Sequence, residues 1–311
     1  MADFHEPRYD LRVSVPVACS NCGALNGADF KSCIRCASPL DPNAAVAFGR
    51  ARVPVTRTRS RMGAGDERLL GQWRAESLPV AKALLAITLA VYGMQFLLAY
   101  RQEPSLATIF SGGGVIDALR AGAMLSDPRL VAMEPWRLLS ACFVHFGLLH
   151  IGMNMLGLIN LCRLLEPSIG SVRLLILYVL SGIISFAGSL AYYTFTHHPS
   201  PTAGASGAIF GLMGAVLGFM FRRKDERWKT WLGQTIAYSV LFGFAMGGVN
   251  NAAHISGLLS GVLFGWLVGD GAPLPSTLWQ RLVAGACAVA VLTSLVLARI
   301  SDLPELLLGL G

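Results

Sequence analysis

Residues 204–221 read GASGAIFGLMGAVLGFMF, an apolar run that opens with a Gly-Ala-Ser-Gly motif and is followed by the basic triplet 222–224. A serine between small residues at the mouth of a membrane helix leaves room for a carbonyl group to approach its hydroxyl, so Ser206 is a candidate nucleophile. Small residues also dominate the interfaces between membrane helices, and an isolated motif of this kind favours the packing interpretation. The other apolar runs, and the polar residues inside them, decide between the two.

The composition is that of an integral membrane protein. Of the 311 residues, 54% are hydrophobic and 14% are charged, and the mean hydropathy is +0.55. The formal net charge is +7, and arginines crowd a linker at 46–78 and the loop 222–229. Because cationic loops stay on the cytoplasmic side of a membrane, this charge indicates topology and not binding of nucleic acid.

Seven apolar spans are predicted, each near the length of about 20 residues that crosses a bilayer. They lie at 80–100, 138–162, 171–195, 203–221, 231–249, 252–269 and 281–299. No signal peptide is evident, since charged residues interrupt the N-terminal stretch, so we expect this segment to stay in the cytosol. That start places the basic loop inside and the long segment 101–137 outside, as the positive-inside rule requires. Ser206 and His254 then lie at similar depth near the outer ends of two different spans.

The first 45 residues carry two Cys-x-x-Cys pairs, which are the sequence signature of a metal site. The four cysteines are Cys19, Cys22, Cys33 and Cys36. Four thiolates complete the tetrahedral shell of a structural Zn²⁺, and a reducing cytosol disfavours disulfides. The stretch resembles the zinc ribbons at the cytosolic ends of many bacterial membrane proteins, which implies a small module over 1–45 that folds around its metal. A rubredoxin-type iron centre stays open as an alternative, and a redox-active cysteine pair is a weaker one.

His254 lies three residues before Gly257 and on roughly the same face of its predicted helix. Gly257 and Gly261 are one turn apart and allow a second helix to pack closely. If that second helix is the one that contains Ser206, a serine and a histidine meet across the interface. A histidine that only hydrogen-bonds between helices is the alternative, but polar groups at membrane depth are usually functional.

His150 and Asn154 are four residues apart and share one helical face of the second predicted span. Their ring and amide N–H groups can hold a developing oxyanion, together with the backbone N–H of the nucleophile. His145 is about 140° around the same helix from His150 if both are helical, so a structural role is predicted for it.

The lack of Asp and Glu within the predicted spans between residues 135 and 269 narrows the possible enzyme classes. The carboxylates of this stretch all fall in predicted cytosolic loops: Glu166, Asp225 and Glu226. No Asp or Glu is therefore available for a buried triad, an aspartyl dyad or a zinc site within the membrane, and a proton-coupled transporter is disfavoured. The two lysines of this region lie on the inner side, so a Ser-Lys pair is excluded. A Ser-His dyad is what remains for a hydrolase.

Together these motifs resemble those of the rhomboid intramembrane serine proteases over about residues 80–270. The resemblance rests on the Gly-Ala-Ser-Gly motif, on His254 with its two glycines, on the histidines and asparagine of the second span, and on the pair Trp136-Arg137. It implies an all-α polytopic membrane fold with a six-helix core over 79–270 and an additional helix and tail over 271–311. It also implies Ser206 as nucleophile and His254 as general base and then acid, with His150 and Asn154 near the oxyanion.

The resemblance further implies that the substrates are single-spanning membrane proteins, cut near the outer end of a helix that can unwind. No cofactor for catalysis and no nucleic acid are expected. The zinc-ribbon module is expected either to bind a cytosolic protein partner or to hold the cytosolic region in place. The expected location is a bacterial plasma (inner) membrane, with the active site opening outward. Phe210 departs from family members that carry a tyrosine there, and it offers no hydroxyl. A non-proteolytic relative that binds transmembrane clients is the alternative, although such a relative is marked by loss of the serine or the histidine.

Overall fold

The computed structural model describes residues 17–19, 21, 25–26, 31–33, 38–40, 78–246, 250–268, 276–307 and 309. The chain divides into two compact units, Met1–Gly71 and Gln72–Gly311. In the first unit, two short antiparallel strands pair with each other: β1 (Val17–Ala18) and β2 (Leu25–Asn26). An isolated β-bridge between Ser32 and Pro39 forms a second pairing in the same unit.

The predicted metal ligands lie in this first unit. Cys19 and Cys33, the first cysteine of each pair, are buried, whereas Cys22 and Cys36 lie outside the described residues. Within the described part of the chain, no group of three or more His, Cys, Asp or Glu side chains that could hold a metal ion occurs. The four-cysteine site therefore stays a prediction.

The second unit is built from helices, with one small pair of strands. In chain order its elements are α1 (Pro79–Gln102), α2 (Leu106–Ser111), α3 (Val115–Ala121), β3 (Met124–Leu125), α4 (Pro128–Met133), α5 (Arg137–Ser140), a 3-10 turn (Ala141–Phe143), α6 (Leu148–Ile169), α7 (Ser171–Thr196), β4 (Pro201–Thr202), α8 (Ser206–Arg222), α9 (Trp228–Met246), α10 (Asn251–Val268), α11 (Leu278–Arg299) and α12 (Leu303–Leu307). The buried core includes Leu84, Leu158, Leu177 and Leu212, which join α1, α6, α7 and α8.

Five helices of the described chain are long and apolar enough to cross a membrane: α1, α6, α7, α10 and α11. The apolar helix α8 is shorter, with 17 residues. Together with α8 and α9, these helices occupy the places of the seven predicted spans. A polytopic, mostly helical membrane fold is thus confirmed, while the count of six crossings plus one stays a prediction.

The second span begins later than predicted, at Leu148 and not at residue 138. The chain bends at Gly147, whose φ is +109°, and a Cβ atom there would lie 2.5 Å from the carbonyl oxygen of Phe110. Only glycine fits such a position, because other residues rarely adopt this φ and have no room for their side chain. His145 therefore precedes α6 and does not lie on it.

Glu166 lies in α6 and is buried, so its prediction as a loop residue was wrong. Its two carboxylate oxygens accept hydrogen bonds from the backbone N–H groups of Val80 and Ala81, at 2.9 and 3.0 Å. The carboxylate satisfies donors that the first turn of α1 leaves without intrahelical partners. It lies about 18 Å along α6 from Asn154, given the rise of 1.5 Å per residue, so it belongs to the opposite end of the helix from the candidate site.

α8 and α10 pack with their backbones in contact. A Cβ atom on Gly257 would overlap the carbonyl oxygen of Gly207, and one on Gly261 would overlap that of Gly211. The glycines of α8 meet α10 in the same way, since a Cβ atom on Gly214 would overlap the carbonyl oxygen of Leu258. Such close approach requires small residues on both helices. It brings the first turns of the two helices side by side.

The segment between α1 and α6 covers the end of the bundle at which α8 begins. Its strand β3 pairs antiparallel with β4, with Met124 opposite Thr202. Because β4 leads into α8, this pairing places the segment on the same side as Ser206. We call residues 103–147 the outer segment, following the predicted topology.

Arg137 holds the outer segment together from inside. Its side chain is only 1% exposed, and its guanidinium donates to the carbonyl oxygens of Leu119 and Ala123, at 2.7 Å each. It also forms an ion pair with Glu134. A buried guanidinium needs such a full set of acceptors, since an unpaired buried charge is strongly unfavourable.

Candidate active site

α8 begins at Ser206, directly after a tightly held turn. Gly204 has a φ of +125°, and its N–H donates to the carbonyl oxygen of Ala141 at 2.9 Å. The N–H of Ala205 donates to Nε2 of His145 at 3.3 Å. These bonds fix the turn and set the serine hydroxyl at the first residue of the helix, where backbone N–H groups have no intrahelical acceptor.

Ser206 and His254 form a hydrogen-bonded pair between α8 and α10. The serine Oγ and the histidine Nε2 are 2.8 Å apart. His254 is 5% exposed and Ser206 is half-buried. When Nε2 carries no proton it accepts the serine hydroxyl, and this distance is the one required of a base that removes the proton of a nucleophile.

The ring of Phe210 lies against the imidazole of His254. The two ring centroids are 4.2 Å apart, and the planes are inclined by 11°. Phe210 lies one turn after Ser206 on α8, so the same helix supplies the serine and a flat surface for its partner. Such a stacked aromatic pair contributes about 0.5–1.5 kcal/mol and restricts rotation of the imidazole.

His150 faces the serine hydroxyl from α6. A Cβ atom on Gly204 would lie 2.8 Å from Nε2 of His150 and 3.8 Å from Oγ of Ser206. Glycine at 204 therefore leaves a small open space between these two groups. Nδ1 of His150 accepts the N–H of Phe146 at 3.2 Å, which in the neutral ring leaves the proton on Nε2, pointing to the same space.

Asn154 lies one turn after His150 and is fully buried. Its Nδ2 donates to the carbonyl oxygen of His150 at 2.9 Å. Because an amide nitrogen has two N–H groups, one remains for a second acceptor. The predicted set of Ser206, His254, His150 and Asn154 thus draws on three helices that meet at one end of the bundle.

His145 and Gln95 support this site. The ring of His145 is fully buried and lies edge-on to His150, with centroids 5.0 Å apart. Gln95 of α1 donates through Nε2 to the carbonyl oxygens of His145, at 3.0 Å, and Gly112, at 3.1 Å. Sequence reasoning did not identify Gln95, although a polar residue inside an apolar span is the signal that could have done so.

Asn250 anchors the start of α10 and was also missed by sequence reasoning. Its Nδ2 donates to Ser189 Oγ at 2.6 Å and to Thr202 Oγ1 at 3.2 Å. Its Oδ1 accepts the N–H of Ala253 at 3.1 Å, which caps the helix. Asn250 thus ties the helix of His254 to β4, the strand that leads to Ser206.

The sequence is similar to known rhomboid proteins. Residues 132–271 match the Rhomboid domain family. The chain is 35% identical over 190 residues to Rhomboid protease GluP of Bacillus subtilis (strain 168), across 60% of this chain and 36% of that protein. It is 32% identical over 137 residues to the rhomboid protein YdcA of the same organism, across 43% of this chain and 67% of that protein. RHOMBOID-like protein 1 of Arabidopsis thaliana is 30% identical over 213 residues, or 63% of this chain and 53% of that protein.

The apolar helices and these matches define a multi-pass integral membrane protein. The chain belongs to the rhomboid family. It spans between about a third and two thirds of the length of the three curated relatives named above.

Proposed function

We propose that this chain is an intramembrane serine endopeptidase that uses Ser206 and His254 as a catalytic dyad. The observation that carries the proposal is the distance of 2.8 Å between Ser206 Oγ and His254 Nε2. The two residues come from different helices, and the backbone contact of those helices leaves little freedom to separate them. Similarity to GluP, a rhomboid protease, supports the same reaction class.

In the proposed reaction, Oγ of Ser206 attacks the carbonyl carbon of the scissile peptide bond while His254 Nε2 takes the hydroxyl proton. The histidine then returns that proton to the leaving amine as the C–N bond breaks, which leaves an ester between serine and substrate. Water hydrolyses the ester, with His254 again acting first as base and then as acid. No carboxylate is required for these steps.

The negative charge that develops on the substrate oxygen would be held in the space beside Gly204. The proposed donors are Nε2–H of His150, the second amide N–H of Asn154 and the backbone N–H at the start of α8. Removing one such donor lowers kcat by about 10²–10³-fold in comparable sites. Gly204 has no side chain to fill this space.

The proposed substrates are transmembrane segments of single-spanning proteins, cut near the outer face of the membrane. A helical segment hides its carbonyl groups in its own hydrogen bonds, so it must unwind before a serine can reach one. Glycine or other poor helix formers near the cut lower the cost of unwinding, by about 1 kcal/mol for a glycine in place of alanine. The proposed location is a bacterial inner membrane, with the N-terminus in the cytosol.

The test is labelling of the purified full chain in detergent with a fluorophosphonate probe, which reacts with activated serines. Ser206→Ala and His254→Ala should each abolish labelling. Ser168→Ala and His198→Ala are matched controls that should retain it, because Ser168 is half-buried, His198 is exposed and both lie outside the site. If the folded native chain stays unlabelled and a permissive membrane substrate stays uncut, the client-binding alternative replaces this proposal.

We also propose that the N-terminal unit binds one structural Zn²⁺ through Cys19, Cys22, Cys33 and Cys36. Two findings support it: Cys19 directly follows β1, and the N–H of Cys33 donates to the carbonyl oxygen of Ser38 at 2.8 Å, next to the bridge between Ser32 and Pro39. Each pair therefore begins next to a β-pairing, where a metal would hold it.

The zinc proposal predicts one zinc per chain in metal analysis of the purified protein. Cys19→Ser and Cys33→Ser should each lose that metal, whereas Cys287→Ser, a buried cysteine of α11, should keep it. Iron in place of zinc would favour the rubredoxin-type centre, and a metal-free folded protein would contradict both.

A further inference from the structure

The chain that follows α11 returns to the outer segment and binds it. Nε and Nη2 of Arg120, in α3, donate to the two carboxylate oxygens of Glu305, in α12, at 2.8 and 3.1 Å. Such a two-point pair between a guanidinium and a carboxylate fixes orientation as well as distance. It joins two residues that are far apart in the sequence, since Arg120 precedes and Glu305 follows the helices α8 and α10 that contain Ser206 and His254.

Two further contacts extend this attachment. Nη2 of Arg137, the buried centre of the outer segment, donates to Ser301 Oγ at 3.0 Å. A Cβ atom on Gly122 would lie 3.0 Å from that of Ala298, so the end of α11 packs directly on the turn after α3. We call residues 298–307 the C-terminal clamp.

Arg137 connects the groups that the C-terminal clamp holds to the nucleophile. It binds the carbonyl oxygen of Leu119, the residue before Arg120, and two short routes lead from it to Ser206. Arg137 binds the carbonyl oxygen of Ala123, the residue before β3, and β3 pairs with β4, four residues before Ser206. In the second route, the helix of Arg137 leads into Ala141, whose carbonyl oxygen accepts the N–H of Gly204. Both routes end at the turn that sets the position of the serine hydroxyl.

We propose that the C-terminal clamp positions the nucleophile, with Ser301 and Glu305 as positioning residues that act through Arg137 and Arg120. The proposal rests on the serine endopeptidase function proposed above. It assigns a role to the helix that follows the six-helix core: this helix carries the clamp to the outer segment. Neither Ser301 nor Glu305 contacts the reacting atoms.

The test measures how fast the fluorophosphonate probe inactivates each folded variant. A series of probe concentrations gives two quantities: the maximal inactivation rate and the concentration at which half of that rate is reached. Glu305→Gln and Arg120→Gln should each lower the maximal rate about tenfold, since a misplacement of about 1 Å can cost up to about a hundredfold. The half-saturating concentration should not change. The double variant should be no slower than either single one, because the two residues act as a pair.

Two matched controls accompany these variants. Asp302→Asn removes an exposed carboxylate of the same segment and should leave the maximal rate unchanged. Ser301→Ala should lower the rate, whereas Ser301→Thr should retain it because the hydroxyl that accepts from Arg137 is kept. Unchanged maximal rates combined with a lower melting temperature for Glu305→Gln and Ser301→Ala would show that the contacts only stabilise the fold, which overturns the proposal.

Hydrogen–deuterium exchange provides a second readout that does not depend on catalysis. In Glu305→Gln the backbone amides of residues 122–126 and 202–206 should exchange faster than in the native chain, while those of α9 should not change. Equal exchange in both segments would overturn the clamp even in an active enzyme. Faster exchange in a chain that the probe never labels would retain the clamp and contradict the proposed protease function.

Discussion

Gly204 controls the candidate site at the scale of a single residue. Its positive φ allows the turn before α8, and its missing side chain leaves the space between His150 and Ser206 open. Gly204 therefore both permits the turn that positions Ser206 and keeps open the space in which the oxyanion is proposed to bind. Around it, Phe210 orients the imidazole of His254 by stacking, and His145 holds the turn through the N–H of Ala205.

Gly204→Ala should strongly reduce labelling by the fluorophosphonate probe. The new methyl group would lie 2.8 Å from His150 Nε2 and would occupy the proposed oxyanion space, so we expect a loss of about 10²-fold or more. The strained φ should cost about 1–3 kcal/mol of stability. Gly152→Ala on α6 is the matched control, since no atom lies within 4 Å of its Cβ position. Full labelling of a folded Gly204→Ala chain would show that the oxyanion binds elsewhere.

The contact of α8 with α10 decides the site at the scale of elements. The glycines on the two helices let their backbones touch, and this contact brings a serine from one helix to a histidine from the other. A serine and a histidine on helices separated by larger side chains would not reach each other. The stripe of small residues is therefore both a packing surface and the condition for the dyad.

Gly261→Ala should separate α8 from α10. Its Cβ atom would overlap the carbonyl oxygen of Gly211, and overpacking of this kind typically costs about 1–3 kcal/mol. We expect a lower melting temperature together with loss of labelling, because the shift changes the distance between Ser206 and His254. Gly285→Ala on α11 makes the same chemical change at a position with no atom within 4 Å and should affect neither measurement. A labelled Gly261→Ala chain of native stability would contradict the role given to this contact.

The clamp pair should be insensitive to pH in the physiological range. The hydrogen bond from Arg120 lowers the pKa of Glu305 below its ordinary value of 4.5, and this effect outweighs the opposing effect of desolvation. A lowered pKa means that the pairing contributes above about pH 4.5 and is lost only as the pH falls through the lowered value. Asp117, 3.5 Å from Arg120, is a second carboxylate beside the pair. Glu305→Gln should therefore reduce the inactivation rate by the same factor at pH 6 and pH 8; a factor that shrinks at pH 6 would show that the pair titrates there.

At the scale of the whole molecule, the contacts of the C-terminal clamp and the position of the basic loop bear on the membrane topology. The clamp contacts place the end of α11 on the same side as the outer segment, which follows α1. An even number of crossings returns a chain to the side where it started, so this agrees with one crossing by each of the six helices α6 to α11. The basic loop between α8 and α9 lies at the opposite end of α8 from Ser206, so the positive-inside rule predicts a site at the outer face, as proposed above.

This topology predicts opposite reactivity of two introduced cysteines. In intact cells a membrane-impermeant maleimide should label Asp302→Cys, an exposed position within the C-terminal clamp. Glu226→Cys, in the exposed loop between α8 and α9, should react only after the membrane is opened. The native chain is the control: on this topology its N-terminal cysteines face the cytosol and its other three are buried. Labelling of Glu226→Cys alone in intact cells would invert the proposed orientation.

The sequence by itself determined the class of this protein and its candidate residues. Hydropathy, the positive loop, the small residues around Ser206, the glycines that follow His254 and the four-residue spacing of His150 and Asn154 are local features of the chain, so they could be read without a structure. The family and the helical membrane fold followed from them.

Only the tertiary structure decided which of these residues meet, because that depends on contacts between distant elements. The helix α6 begins only after Gly147, where the chain bends so close to Phe110 that no side chain fits, and Glu166 is buried because it caps the first helix. No local pattern gives Gln95, Asn250 or Glu305 its bonding role, although its position inside an apolar span marks Gln95 as a candidate. Their side chains acquire those roles from groups that the fold brings to them, and the same is true of the hydrogen bond between Ser206 and His254.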